Sequence, residues 1–312
     1  MRGILPDRRQ YGAEDIHTLT LTASYGVGMD MRTYPEGVTS WVDVEHQDLE
    51  AASSFYGALF GWSFQDASQS DHPFRYLVAQ LDGQDAAGLA GPLDPARTET
   101  GSEGWNTYVA VDDVDEVLAR IAAAGGRAVH GPASAGEHGR FAACIDPNGV
   151  PFRLWQAGRR PGAQITNAPG AWNFSDLHTS DPTGSSAFYS AVFGWSFDDL
   201  GFATMITRPG YGDHLAATSD PGIHARQSEV SAPAGFADAI GWLVTADETE
   251  QPHWHVTFTV SDRDATAADV EQLGGSVLSR TDSDWTREAR VRDPWGATFS
   301  VSQFAPPAGG DW

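Results

Sequence analysis

Residues 55–64, FYGALFGWSF, return 133 positions later as FYSAVFGWSF at 188–197. The match runs upstream without a gap. WVDVEHQDLEAASSFY at 41–56 lies over FSDLHTSDPTGSSAFY at 174–189, which aligns Asp43 with Asp176 and Asp48 with Asp181. Two more pairs follow: WNTYVAVDDVDEVLARIAAAGG at 105–126 with WHVTFTVSDRDATAADVEQLGG at 254–275, and DPNGVPFRLWQ at 146–156 with DPWGATFSVSQ at 293–303. Self-similarity of this kind marks a repeated supersecondary unit. Each copy is itself bipartite, because a strand and a helix open both of its halves.

Local patterning supports that division. Residues 41–45 and 106–111 alternate with the period of a half-buried strand. Residues 113–124 and 264–273 carry apolar side chains at helical spacing and run into Gly-Gly pairs, a C-terminal stop. DPNG and DPWG are turn tetrads, with Asp and Pro at the positions that favour them. Each half therefore reads as two strand–helix–strand–strand–strand (βαβββ) modules, in an α+β chain of two tandem domains at 35–157 and 171–305. A Gly-, Pro- and Ala-rich linker at 158–170 joins them, with an extension at 1–34 and a tail at 306–312. The extension does not join the repeat, and Met29 or Met31 would serve as an alternative start.

Composition removes several classes of function. The 312 residues are 41% hydrophobic, enough for two cores. All 19 basic residues are Arg, so a lysine Schiff base, a pyridoxal-phosphate lysine and a P-loop lysine are excluded. Against them stand 42 acidic residues, a net charge of −23 that repels nucleic acid and anionic lipid. The expected partner is a small molecule, neither nucleic acid nor membrane, and a homodimer stays open. A single Cys144 makes neither an intramolecular disulfide nor a thiolate zinc site and reads as core. Without an apolar run of signal or spanning length, the expected location is the cytoplasm.

FYxxLFGW after a first strand, VDDVD at a helix start and DPxG before a last strand carry a resemblance. On these motifs, over roughly residues 36–305, the chain resembles the vicinal oxygen chelate superfamily of glyoxalase I, extradiol dioxygenases and bleomycin-resistance proteins. It is most similar to two-domain glyoxalase-like proteins of actinobacteria. The resemblance implies that paired modules form a curved mixed sheet around a cavity, with pairing of adjacent modules or of modules across the chain left open. It also implies three metal-ligand positions per domain, which fall on Trp41, Asn106 and Arg153 and on Phe174, His255 and Ser300. Of these only His255 suits a metal, so neither a metal nor another cofactor is expected.

In the matching strand register, Trp41, Asp43, Glu45, Asn106, Tyr108, Arg153 and Trp155 point into the N-terminal cavity, with Val42, Val44, Val109 and Val111 toward the helices. The C-terminal set is Phe174, Asp176, His178, His255, Thr257, Ser300 and Ser302, backed by Leu177, Val256, Phe258 and Val301. Aromatic walls with a few polar groups suit a small-molecule pocket. One reading is a metal-independent protein binding an aromatic or hydrophobic metabolite, such as an antibiotic. Its contacts are the seven N-terminal residues together with Phe174, Thr257 and Ser300. Within it, Arg153 either clamps an anion or carbonyl while stacked on Trp41 or Trp155, or forms a salt bridge to Asp43 or Glu45.

The other reading is an enzyme of secondary metabolism, an isomerase, cyclase or lyase with Asp176, His178 and His255 as acid–base groups. Against it, Asp43 and Asp176 share a position that would suit a structural acceptor of backbone or Trp N–H groups. A chelate of Asp176, His178 and His255 is disfavoured, because His178 lies about 13 Å along the strand from Phe174. His253 shares a face with His255, but Pro252 places it in a loop, half exposed rather than chelating. The two FGW elements read as structural turns. A role in protein interaction has only the acidic surface behind it.

Overall fold

The computed structural model describes residues 32–68, 74–92, 104–201, 203–229, 232–247, 250–283 and 285–305. The extension through residue 31 and the tail from 306 lie outside these. The first module is β1 (Thr39–Glu45), α1 (Leu49–Phe60), β2 (Ser63–Asp66), β3 (Phe74–Leu81) and β4 (Gln84–Pro92). The second is β5 (Trp105–Ala110), α2 (Val114–Ala123), β6 (Arg127–Ser134), β7 (Gly139–Ile145) and β8 (Pro151–Ala157).

In the second domain come β9 (Trp172–Thr179), α3 (Pro182–Phe193), β10 (Ser196–Asp199) and β11 (Thr204–Thr207). Two short helices absent from the other modules follow, α4 (Tyr211–Ala217) and α5 (Ile223–Glu229), before β12 (Ala239–Thr245). The last module is β13 (His253–Thr259), α6 (Arg263–Gln272), β14 (Ser276–Asp282), β15 (Thr286–Arg292) and β16 (Thr298–Phe304).

Consecutive modules share one sheet. The orders are β2-β3-β4-β1-β5-β8-β7-β6 and β10-β11-β12-β9-β13-β16-β15-β14. The modules join through the antiparallel pairs β1·β5 and β9·β13. That register decides what can meet: Asp43 lies across from Asn106, Asp176 across from His255, and His178 across from His253.

The aligned motifs have equivalent local roles. Asp48 and Asp181 cap α1 and α3 by accepting the backbone N–H of Ala51 and Gly184. Gly61 and Gly194 end the same helices in the left-handed conformation, with φ of 75° and 69°. Only glycine adopts this without a Cβ penalty, which is why FGW follows both helices.

The backs of the two sheets bury their apolar faces against each other's modules, so each main core crosses the domain boundary. One core joins Val42, Val44, Tyr56, Phe60 and Trp62 with Val256, Phe258, Phe299 and Val301. The other joins Val109, Ile121, Cys144 and Phe152 with Leu177, Tyr189, Phe193 and Trp195. Polar contacts repeat the exchange. Tyr56 donates to Asp293 Oδ2 at 2.8 Å, and Tyr189 is hydrogen-bonded to Asp146. Trp62 Nε1 donates to the Gly170 carbonyl at 2.7 Å and Trp195 Nε1 to the Gly37 carbonyl at 2.6 Å. FYxxxFGW in one domain thus clasps the DPxG turn of the other. The segment between the domains is packed rather than loose, with Ala163, Ile165, Ala168 and Ala171 buried in the first core.

Candidate functional site

On the face of the first sheet away from the helices, the expected residues other than Trp155 form one connected network. Asp43 is fully buried and accepts hydrogen bonds from Asn106 Nδ2 at 2.9 Å, Tyr108 Oη at 2.5 Å and Tyr76 Oη at 3.1 Å. Trp41 Nε1 donates to Tyr76 Oη at 2.7 Å, and Arg153 Nη1 to Tyr108 Oη at 2.9 Å. The guanidinium also lies 3.5 Å from Asp43 Oδ1 and is ion-paired with Glu45. Burial pushes the Asp43 carboxyl upward, while Arg153, Tyr108 and Asn106 pull it back. Burial raises the Tyr76 and Tyr108 hydroxyls well above their usual range, which keeps both as donors at neutral pH.

Of the two options considered for Arg153, the salt bridges to Asp43 and Glu45 are the contacts present. Its guanidinium stacks over the Tyr108 ring, 5.5 Å from the centroid, rather than on Trp41 or Trp155. Trp155 Nε1 instead donates to the Arg160 carbonyl at 2.7 Å. Tyr76 was not among the expected residues, because β3 carries no part of the repeated motifs. Its place depends on Gly88 in β4, beside Asp43: a Cβ there would come within 2.1 Å of Tyr76 Oη and 3.0 Å of Asp43 Cβ. Gly88→Ala is expected to cost about 1–3 kcal/mol by overpacking. Urea denaturation should show a smaller loss when Tyr76→Phe is already present, since the nearest clashing atom is then gone and only ring Cζ, at 2.7 Å, must shift.

The second sheet gathers a different set. His255 Nε2 is 2.9 Å from Ser300 Oγ, which donates to Glu288 Oε1 at 2.8 Å. Asp176 is fully buried, and its Oδ1 accepts the Trp242 backbone N–H at 3.1 Å, the kind of structural role considered for it. Phe174 lies across from Thr257, and Thr257 stands beside Ser300 on the parallel strand β16. Ser302 is buried on the same strand.

His178 pairs through Nδ1 with Glu250 Oε1 at 3.1 Å, and Arg290 Nη2 lies 3.1 Å from the same oxygen. The bond from His178 holds the Glu250 carboxyl down at about 2. His253 is the first residue of β13 rather than part of a loop, and its ring stands 4.7 Å from that of His178. Burial, with His178 alongside, pushes its imidazole below the usual range. His178, Glu250 and His253 each offer one ligand atom, all within 4.8 Å of one another. Glu250 went unnoticed in the sequence, although its spacing in EQPHWH, three residues before His253, was a usable signal.

The strand register adds two carboxylates beside the implied metal positions. Asp43 lies across from Asn106, and Asp176 across from His255. Even with these carboxylates added, neither set fits a metal. In the first domain the Arg153 guanidinium stands where a cation would meet Asp43. In the second, the Ser300 hydroxyl separates His255 from Glu288.

Paired eight-stranded sheets of βαβββ modules, each with aromatic and titratable residues on the face away from its helices, define a class of small-molecule-handling proteins. The chain belongs to the glyoxalase/bleomycin resistance/dioxygenase superfamily. Residues 40–154 match the model of the "Glyoxalase/Bleomycin resistance protein/Dioxygenase superfamily", and residues 174–302 that of the "Glyoxalase-like domain". Among its relatives, "Putative glyoxylase CFP32" of Mycobacterium tuberculosis is 34% identical over 88% of this chain and 97% of its own. "Anthracycline biosynthesis protein DauV" of a Streptomyces species is 31% identical over 90% of this chain and 99% of its own.

In fold, the chain is similar to the Mn(II)-bound glyoxalase of Novosphingobium aromaticivorans, with TM-score 0.52 and 12% identity over 87% of this chain and 84% of the other. It is also similar to the 2,3-dioxygenase LapB of Pseudomonas sp. KL28, with TM-score 0.54 and 13% identity over 90% and 98%. Among the described residues no helix is long and apolar enough to cross a membrane.

Proposed function

We propose that the protein binds a flat, oxygen-bearing aromatic metabolite of the polyketide type against the first sheet, on the face away from its helices, without a metal. The observation that carries this reading is the Trp41–Tyr76–Asp43–Tyr108–Arg153 network, which holds aromatic rings and one guanidinium in fixed positions on that face. Rings give stacking area for a flat aromatic ligand, and the guanidinium, already paired with Asp43 and Glu45, adds a positive field that favours an oxygen-bearing edge. The kinship to proteins of anthracycline biosynthesis supports a ligand of this chemical class.

Titration with a tetracyclic anthraquinone in the presence of chelator, followed by tryptophan emission, is expected to saturate at micromolar concentration. The ligand is expected to be recovered unchanged by mass spectrometry. Emission that never responds would sink the binding reading.

A second reading has its own support in the second sheet, where His255, Ser300 and Glu288 form a hydrogen-bonded relay. In that reading His255, with Asp176 and His178 nearby, exchanges protons with a bound substrate in an isomerisation, cyclisation or elimination. A new product in the same titration would favour it. Asp176→Asn and His255→Gln would then each abolish turnover while preserving the circular dichroism spectrum.

A further inference from the structure

We propose that His178, Glu250 and His253 form a binding site for one divalent transition-metal ion at the end of the second sheet. The site is separate from the superfamily positions rejected above and stands independently of the proposed ligand face.

The fold itself brings the three together. Antiparallel pairing of β9 with β13 sets His178 directly across from His253, and the turn entering β13 returns Glu250 to His178. Ligand atoms each about 2.1 Å from one ion lie at most about 4.2 Å apart. The observed spread of 4.8 Å therefore needs a closure of about half an ångström, within the reach of small side-chain rotations.

The tautomer of His253 is a second, independent sign. Its Nδ1 lies 2.9 Å from the Gln251 carbonyl, which can only accept, so Nδ1 carries the proton and Nε2 bears the lone pair. Nε2 is buried and makes no hydrogen bond. A histidine fixed by a backbone carbonyl through one nitrogen, with the other lone pair bare, is the usual outer-shell arrangement of a metal ligand. Left dry, that lone pair costs desolvation, and an ion would satisfy it.

The donor set selects the ion. Two imidazoles and one carboxylate suit zinc, cobalt, nickel or ferrous iron, whereas magnesium and calcium favour all-oxygen shells. Arg290 is the opposing feature: it shares Glu250 Oε1 with His178 and places a positive charge beside the site. It should weaken binding without blocking it, because a carboxylate has a second oxygen to offer.

The test uses the full-length, untagged, chelator-stripped protein, with zinc followed by calorimetry and cobalt by visible absorption. One equivalent is expected to bind. His178→Gln and His253→Gln should each weaken zinc at least about tenfold, Arg290→Gln should tighten it, and the exposed control His130→Gln should leave it unchanged. Circular dichroism verifies the fold of each variant. Absence of a saturable first equivalent overturns the proposal. So does zinc affinity that is unaltered in both His178→Gln and His253→Gln, since binding would then lie elsewhere. Arg290→Gln lies outside the ligand set and keeps the test decisive should either histidine variant fail to fold: unchanged or weaker zinc binding in it overturns the site as well.

Discussion

Expressed alone, residues 168–305 are expected to remain unfolded, whereas the intact chain unfolds in a single transition. The reason is the exchange of core residues. Without the first domain, Phe258 and Phe299 lose Tyr56, Phe60 and Trp62, while Tyr189 and Phe193 lose Phe152 and Ile121. Each sheet would then expose the apolar back that the other normally covers.

The two indoles that close the cores give a graded version of the same test. Trp62 and Trp195 are buried, at 5% and 2% exposure, and each donates to a carbonyl outside its own module. Either Trp→Ala change is expected to cost about 3–5 kcal/mol through cavity formation. Urea unfolding should retain coincident fluorescence and far-ultraviolet transitions, with the whole protein shifted. Two separated transitions, or a folded isolated second half, would show that the domains are stable alone.

Arg153→Met is expected to destabilise the protein by about 3–5 kcal/mol, because it leaves a buried carboxylate without its cation. Asp43 is fully enclosed, and the Arg153 side chain is only 15% exposed, so solvent cannot replace the lost charge. The same change removes the cation–π contact with Tyr108 and the partner of Glu45. Asp43→Asn should cost less, since it removes the charge that Arg153 offsets while keeping a polar group among its donors. In the double variant the effects should be clearly less than additive, because the two residues belong to one network. Additive losses in urea denaturation would mean that Arg153 acts chiefly through Glu45 and Tyr108 instead.

Much of the architecture was legible because the informative signals are local. Alternation at 41–45 placed Trp41, Asp43 and Glu45 on one face and Val42 and Val44 on the other; the valines lie in the core, and Trp41 joins it from the other face. The repeat aligned Asp43 with Asp176, both of which prove fully buried at equivalent positions across from β5 and β13. The helices α4 and α5 fell outside this reasoning, because an insertion in one copy has no counterpart to compare with. Tyr76 and Glu250 escaped for a related reason: each sits on a segment without repeated sequence, and its role depends on a partner tens of residues away.

By itself, then, the sequence determined four βαβββ modules, their strand faces, the turns that end α1 and α3, and the family. These follow from period, capping and glycine conformation, which act over a few residues. The tertiary structure alone decided that consecutive modules share a sheet, that each core is built across the two domains, and that His178 meets Glu250 and His253. Such contacts depend on strand register and on which apolar face covers which, and a chain read one residue at a time carries no distance between them.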